Sequence, residues 1–130
     1  MFASASKEFV LDTLVRVAQV VVALGIMNVW LLRSQRATAW RGGEAINMRE
    51  EFAVYGLPKW FMYAVGVLKL TFAVLLIVGV WFPEVTKPAA FGLGALMLAA
   101  VVMHFKVGDP IRKSLPAFSL LALCAVIAFA

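Results

Sequence analysis

The stretch "VGVLKLTFAVLLIVGV", residues 65–80, is almost entirely apolar and contains one charged residue, Lys69. It lies within a longer apolar segment, residues 57–82, which exceeds the roughly 20 residues that a helix needs to cross a bilayer. Pro58 stands near the start of this segment, and proline is favoured in the first turn of a helix. The segment therefore predicts a transmembrane helix with a lysine near its middle.

The rest of the chain has the same apolar character. Of its 130 residues, 64% are hydrophobic and 15% are charged, whereas a soluble domain is about half apolar and about a quarter charged. A domain of this length cannot hide so much apolar surface from water. The composition predicts a single integral membrane domain that covers residues 1–130.

Three further segments are long and apolar enough to be membrane spans. They cover about residues 9–32, 88–105 and 115–130. The connections on either side of the third span, "PEVTK" and "KVGDPIRKS", are short, and the second contains the turn signal Gly108-Asp109-Pro110. Short connections join antiparallel neighbours. The sequence therefore predicts an all-α fold, an integral membrane four-helix up-down bundle.

The first connection, residues 33–56, is longer than a plain loop between two helices usually is. Gly42-Gly43 interrupts it, and an apolar stripe at helical spacing follows over residues 44–55. Trp40, Tyr55 and Trp60 are amphipathic rings that favour the headgroup layer. The pattern predicts a short interfacial helix over one mouth of the bundle, between the first two spans; a plain surface linker is the alternative. The stripe consists of Ala45, Met48, Phe52 and Tyr55.

The formal net charge is +5, but the basic residues flank the apolar spans, so nucleic acid is excluded as a partner. Loops rich in Lys and Arg remain on the cytoplasmic side of a membrane. The sequence predicts a bacterial-type cytoplasmic (inner) membrane protein with both termini on the non-cytoplasmic side. The first and third connections, with their edges, hold Arg33, Arg36, Arg41, Arg49, Lys59, Lys106, Arg112 and Lys113.

Lys69 and a set of polar residues in the first span are candidates for a site. A lysine at mid-membrane costs at least about 2.5–3.5 kcal/mol. It therefore faces the bundle interior, finds a partner or loses its proton, or else it snorkels to the surface. Asp12, Arg16 and Gln19 follow one another at helical spacing and share one face, and the first two are spaced as an ion pair. We expect this polar line to meet Lys69. The polar groups would either hold the helices together by hydrogen bonds or form a ligand or proton site.

His104, near the end of the third span, is predicted to be an interfacial hydrogen-bonding residue, with a headgroup contact or a proton relay as alternatives. It has no second histidine or cysteine cluster at ligand spacing, so no metal site is predicted. Catalytic and phosphate-binding motifs of soluble enzymes are absent from the sequence. Cys124 is the one cysteine. The sequence predicts no catalytic residue and no intrinsic cofactor.

Five motifs follow one another along nearly the whole chain: "RVAQVVVALGIMNVWLLR", "FAVYGLPKW", "VGVLKL", "GVWFPEVTKPAA" and "MHFKVGD". In this order the chain resembles the DoxX-like family of small four-helix membrane proteins. The resemblance implies a link to a terminal quinol oxidase and thiosulfate–quinone chemistry, or a role in assembling other membrane proteins. It also implies a glutamate in the second span, where this chain has Lys69.

Three functions fit the sequence. The first is an accessory or assembly factor of a larger respiratory or redox membrane complex, without catalytic chemistry of its own, whose partners are other membrane subunits or further copies of the chain. The second is a quinone- or lipid-binding component, a quinone-linked oxidoreductase subunit that takes its electrons from a partner. The third is a proton or solute path that works as an oligomer. Candidates for the headgroup site are Arg16, Gln19, Lys69 and His104, with Asp12 as an ion-pair partner.

Overall fold

The computed structural model of the protein describes residues 2–130. This part of the chain forms helices, turns and loops and contains no strand. Four helical segments are long and apolar enough to cross a membrane, which confirms the predicted all-α membrane bundle. They are Ser4–Leu32, Lys59–Val78, Pro83–Lys106 and Ile111–Phe129.

The first span has a change of helical pitch close to its end. Helix α1, Phe2–Met27, continues into a π-helical turn, Asn28–Leu32. In this turn the Arg33 N–H donates to the Asn28 carbonyl at 3.0 Å. A π-helical turn holds one more residue than an α-helical turn, so it changes the direction of the side chains that follow it. Trp30 lies in this turn.

The short helix predicted in the first connection is present as α2, Met48–Val54. It begins later than expected because Asn47 caps it: the Asn47 side chain accepts from the Glu50 N–H at 2.9 Å, and the Glu50 carboxylate accepts from the Ile46 N–H at 3.0 Å. These two bonds resemble a capping box. The helix ends at Val54, and Gly56, whose φ of 78° is left-handed, terminates it two residues later. That α2 lies in the headgroup layer stays a prediction.

The other three spans are helices with proline near their starts. Pro58, in an extended conformation, precedes α3, and Pro116 lies in the first turn of α5. A proline in these places loses no helical hydrogen bond. The bounds are Lys59–Val78 for α3, Thr86–Lys106 for α4 and Leu115–Phe129 for α5, and 3-10 turns at Pro83–Val85 and Ile111–Ser114 precede the last two.

The four long helices form a closed ring in which α1 and α4 each pack against α3 and α5. Because successive spans are antiparallel, both termini lie at one end of the bundle. The first and third connections lie at the other end, where Asp109 accepts from the Gly43 N–H at 2.9 Å. Small side chains are fully buried between the helices, Ala23 on α1 and Ala73 on α3 among them, and they allow close approach of helices in a membrane.

Large apolar side chains cover the outside of the ring. Each of the four long helices presents some that are more than half exposed, such as Leu14, Val67, Leu98 and Val126. A soluble monomer rarely exposes such a continuous apolar surface. This surface, together with the four spans, identifies the chain as a multi-pass membrane protein.

Candidate functional site

A cavity of about 550 Å³ lies inside the end of the bundle that carries the first and third connections. All four spans contribute to its wall, and the first connection frames its mouth. The volume lies within the range of small-molecule sites, about 300–1,000 Å³. Much of the wall is apolar, with Val65 on α3, Met97 on α4 and Leu120 on α5. The cavity therefore offers an apolar interior with a small number of polar groups.

Trp30 forms the side of the cavity between the π-helical turn and α3. Its ring lies directly against Gly66, where an added Cβ would come within 2.7 Å of the ring. The ring also meets Phe52 of α2 edge-on, with 6.0 Å between the centroids. The Lys69 ammonium stands 5.5 Å from a Trp30 ring centroid, which is within the range of a cation–π contact.

We expect Gly66→Ala to lower the free energy of unfolding by about 1–3 kcal/mol, because the added methyl forces the Trp30 ring to move. Thermal unfolding of the purified protein in detergent measures the change. Gly94→Ala is the matched control, since its added Cβ would meet the Cys124 side chain at an ordinary 3.5 Å. An equal loss of stability in both variants would show that Trp30 does not depend on the space at Gly66.

Lys69 is half-buried on α3 and lines the cavity. Among the described residues, no acceptor lies within hydrogen-bond distance of its ammonium; its contact is with the face of Trp30. An ammonium has three N–H donors. These donors therefore remain available to a molecule inside the cavity.

Arg41 is the centre of the polar mouth and is only 4% exposed. Its guanidinium donates to the backbone carbonyls of Arg36 at 2.8 Å and Arg33 at 2.6 Å. It also forms a salt bridge of 3.2 Å with Glu51 of α2. One side chain thus ties the end of the first span to α2 and fixes the path of the first connection.

Glu51 links Arg41 to Tyr55, whose hydroxyl donates to the Glu51 carboxylate at 3.0 Å. Burial, and then the charge of Glu51, raise the pKa of the Tyr55 phenol well above its ordinary value, so this hydroxyl keeps its proton. The Tyr55 oxygen is 3.4 Å from His104 Nε2. Gly42 makes room for the tyrosine, because a Cβ there would come within 2.5 Å of the ring.

His104, on α4, is buried and joins this mouth to the third connection. Its Nδ1 lies 2.8 Å from the Asp109 carboxylate, and this acceptor places a proton on Nδ1. Burial alone would raise the pKa of Asp109. Hydrogen bonds from His104 and the Gly43 N–H, helped by the charge of Lys113, outweigh burial and hold the pKa below its ordinary value. Lys113 also donates to the Gly43 carbonyl at 2.5 Å. Gly43 is therefore held through both of its backbone groups.

These contacts form one continuous set of polar groups, which we name the mouth network. It joins the first connection to α4 and to the third connection, so it closes the mouth across segments that are distant in sequence. Its members are Arg41, Glu51, Tyr55, His104 and Asp109.

Two of the predicted site residues, Lys69 and His104, line the same cavity. Gln19 does not: its amide donates to the Leu76 carbonyl at 2.8 Å and contacts Thr86 at 3.5 Å. Leu76 lies seven residues beyond Lys69, or about 10 Å along the helix. The predicted meeting of Gln19 with Lys69 is therefore wrong. Since α1 and its π-helical turn extend to residue 32, Trp30 takes the place beside Lys69 that the sequence assigned to Gln19.

Asp12 and Arg16 are exposed on α1, and no salt bridge joins them within the part of the chain that the structure describes. The continuous polar line expected from Asp12 to Lys69 is thus not formed among the described residues. Tyr55 is buried in the mouth network, at 5% exposure; that it lies at the depth of the headgroup layer stays a prediction.

Sequence reasoning missed Arg41, Glu51 and Trp30 as parts of the site. Glu51 and Tyr55 are four residues apart, which is a usable signal for neighbours on a helix. The Gly-Asp turn that follows His104 is also a signal, because it returns Asp109 to the end of α4. Nothing in the local sequence marks Arg41, since its partners depend on how the first connection folds. Among the described residues, no group of three His, Cys, Asp or Glu side chains forms a metal site.

A comparison with protein families agrees with the four-helix membrane bundle. The model of the DoxX-like family matches residues 15–127. The chain belongs to the DoxX-like family. The matched range includes every residue that lines the cavity of this DoxX-like protein, the mouth network included. No curated protein and no solved structure matches the chain.

Proposed function

We propose that this DoxX-like protein binds a lipid-soluble amphiphile, a quinone or a lipid, in the cavity behind the mouth network. The observation that supports this proposal is the cavity itself, with its largely apolar wall. An isoprenoid or acyl tail would lie among the apolar side chains of α3, α4 and α5, and the polar head would reach Lys69 or the His104 side of the mouth.

The chemistry of the wall suits such a molecule. Binding sites for small molecules are mostly apolar and contain a few convergent polar groups that fix the orientation of the ligand. Here the convergent groups are the Lys69 ammonium and the buried mouth network. Flat aromatic faces at Trp30 and Phe52 provide surfaces on which a ring or a chain can lie.

The protein would act as an accessory or assembly component of a larger membrane complex. If the ligand is a quinone, that complex would be a respiratory or redox complex. Its single cysteine, Cys124, is buried, so no thiol pair in this chain can exchange electrons. Redox chemistry on a bound quinone would then need electrons from a partner protein. In this proposal the chain holds and presents the ligand, and the chemistry belongs to the partner.

We also propose that the mouth faces the cytoplasm of a bacterial-type cell, with both termini on the other side of the inner membrane. The two basic connections lie at one end of the bundle, where Lys113 binds the Gly43 carbonyl and Lys106 donates to the Tyr55 carbonyl at 3.1 Å. Basic loops of this kind are retained in the cytoplasm. Labelling of single cysteines introduced at either end of the bundle in intact cells would test the orientation.

Ala100→Phe tests the proposed function, because Ala100 lines the cavity on α4 and a phenyl group there occupies the ligand's space. We expect the variant, purified in mild detergent, to lose at least about 90% of the quinone or lipid that mass spectrometry detects with the wild type, equivalent to about 1.4 kcal/mol of binding. Ala95→Phe is the matched control, since Ala95 is exposed on the outer face of the same helix.

Equal retention of the co-purified molecule by wild type, Ala100→Phe and Ala95→Phe would show that the molecule binds outside the cavity. Loss in Ala100→Phe alone would support the proposal. Circular dichroism of both variants confirms that the helices are intact before the comparison is made.

A further inference from the structure

We infer that the cavity selects an amphiphile with an acidic head, a carboxylate or a phosphate, that pairs with Lys69. The inference rests on the proposed function and adds the charge of the ligand to it. It follows from the mostly positive charge of the residues that line the cavity and from the unused N–H donors of Lys69.

The lining residues carry far more positive than negative charge. One acidic residue, Glu51, lines the cavity, and it already accepts from Arg41 and Tyr55. Arg41 and Glu51 therefore compensate each other. Three further cations line the cavity. Lys113 lies near the Asp109 carboxylate of the mouth network, whereas Arg33 and Lys69 form no salt bridge among the described residues.

Lys69 differs from the other two cations in depth and in partners. Arg33 is exposed at the mouth and donates to the Asn28 side chain at 3.3 Å, and Lys113 donates to the Gly43 carbonyl. Lys69 is half-way along α3, and among the described residues its ammonium has a cation–π contact with Trp30 but no hydrogen-bond acceptor and no salt bridge. A cation–π contact offsets only part of the cost of removing an ammonium from water.

An anionic head group would complete this site. Hydrogen bonds between charged groups are shorter and about twice as strong as those between neutral groups, and a charge pair gains strength where the surroundings exclude water. A neutral group, such as an alcohol or a quinone carbonyl, could accept a hydrogen bond from the Lys69 ammonium but would not compensate its charge. The same argument applies to a fatty-acid carboxylate and to a phospholipid phosphate.

Binding of matched amphiphiles to the full-length protein in detergent tests the inference. The probes are tritiated palmitate, hexadecanol with the same chain length, decylubiquinone as a neutral quinone, and dioleoyl phosphatidic acid as a phosphate. We expect palmitate or phosphatidic acid to bind at least about tenfold more tightly than hexadecanol and decylubiquinone. The probe that binds more tightly identifies a carboxylate or a phosphate as the head.

Three variants locate the effect. Lys69→Met should abolish the preference for the acidic probes, and Lys69→Arg should keep it. Lys59→Met is the matched control, because Lys59 is on the same helix but is exposed and does not line the cavity. Because Lys69 forms no salt bridge or hydrogen bond among the described residues, Lys69→Met leaves no partner group unpaired, and this variant is expected to fold.

The outcomes separate the inference from the function on which it rests. A preference for acidic probes that Lys69→Met alone removes supports the inference. Equal binding of acidic and neutral probes, unchanged in Lys69→Met, overturns the inference and leaves the proposed function standing. Failure of all four probes to bind, in the wild type and in every variant, overturns both.

Discussion

Replacement of Arg41 by Met is expected to lower the free energy of unfolding by about 3–5 kcal/mol, because it leaves the partner of a buried ion pair without compensation. Arg41 is 4% exposed and its salt-bridge partner, Glu51, is 15% exposed. The change also removes the donors of two backbone carbonyls, at Arg33 and Arg36. Chemical unfolding in mixed micelles, followed by tryptophan fluorescence, measures the loss.

Two variants test the cause of this loss. Arg36→Met removes an arginine from the same connection, but its side chain is exposed, so we expect a change of less than about 0.5 kcal/mol. Glu51→Gln, added to Arg41→Met, removes the uncompensated charge and should recover part of the stability. If the double variant were as unstable as the sum of the two single variants, the ion pair would not be the cause.

Acidification is expected to release the first connection from the third through protonation of Asp109. The folded protein holds the pKa of Asp109 below its ordinary value, so the carboxylate stabilises the fold at pH values above that ordinary value, about 3.9. This stabilisation is lost as the pH falls through the lowered pKa, because the protonated form loses its bonds to His104 and Gly43. Thermal unfolding at a series of pH values measures the effect.

Asp109→Asn should remove this part of the pH dependence and cost about 1.5–3 kcal/mol at neutral pH, since hydrogen bonds to a charged group are lost. Asp12→Asn is the matched control, because Asp12 is exposed on α1 and has no salt bridge among the described residues. Wild type and Asp109→Asn with parallel stability curves below pH 5 would contradict the assigned role of the carboxylate.

The architecture could be predicted from the sequence because lipid imposes simple requirements on a chain. Apolar segments of sufficient length must be helices, since all backbone groups must be paired within the membrane. Short connections such as "PEVTK" then make neighbouring helices antiparallel. The start of α2 was predicted less well, because the cap at Asn47 competes with the helical stripe that begins at Ala45.

The site could be predicted only in part, because it depends on the relative positions of helices along the membrane normal. Lys69 was recognised by its cost in lipid, and His104 by its place at the end of a span. The partner of Lys69 was assigned incorrectly, since the length of the first span sets the register and its π-helical turn directs Trp30. The role of Arg41 could not be predicted, because its contacts form only when the first connection folds and no local sequence pattern indicates them.

The contacts of Gln19 have a consequence for access to the cavity. Its amide, the Leu76 carbonyl and the Thr86 hydroxyl fasten three helices together at the end of the bundle that holds the termini, and Gly79 leaves room for Thr86 there. The helices are thus fastened together toward this end, and the cavity lies toward the other end. Under the proposed function, a ligand would therefore reach the cavity from the end of the bundle that carries the mouth network.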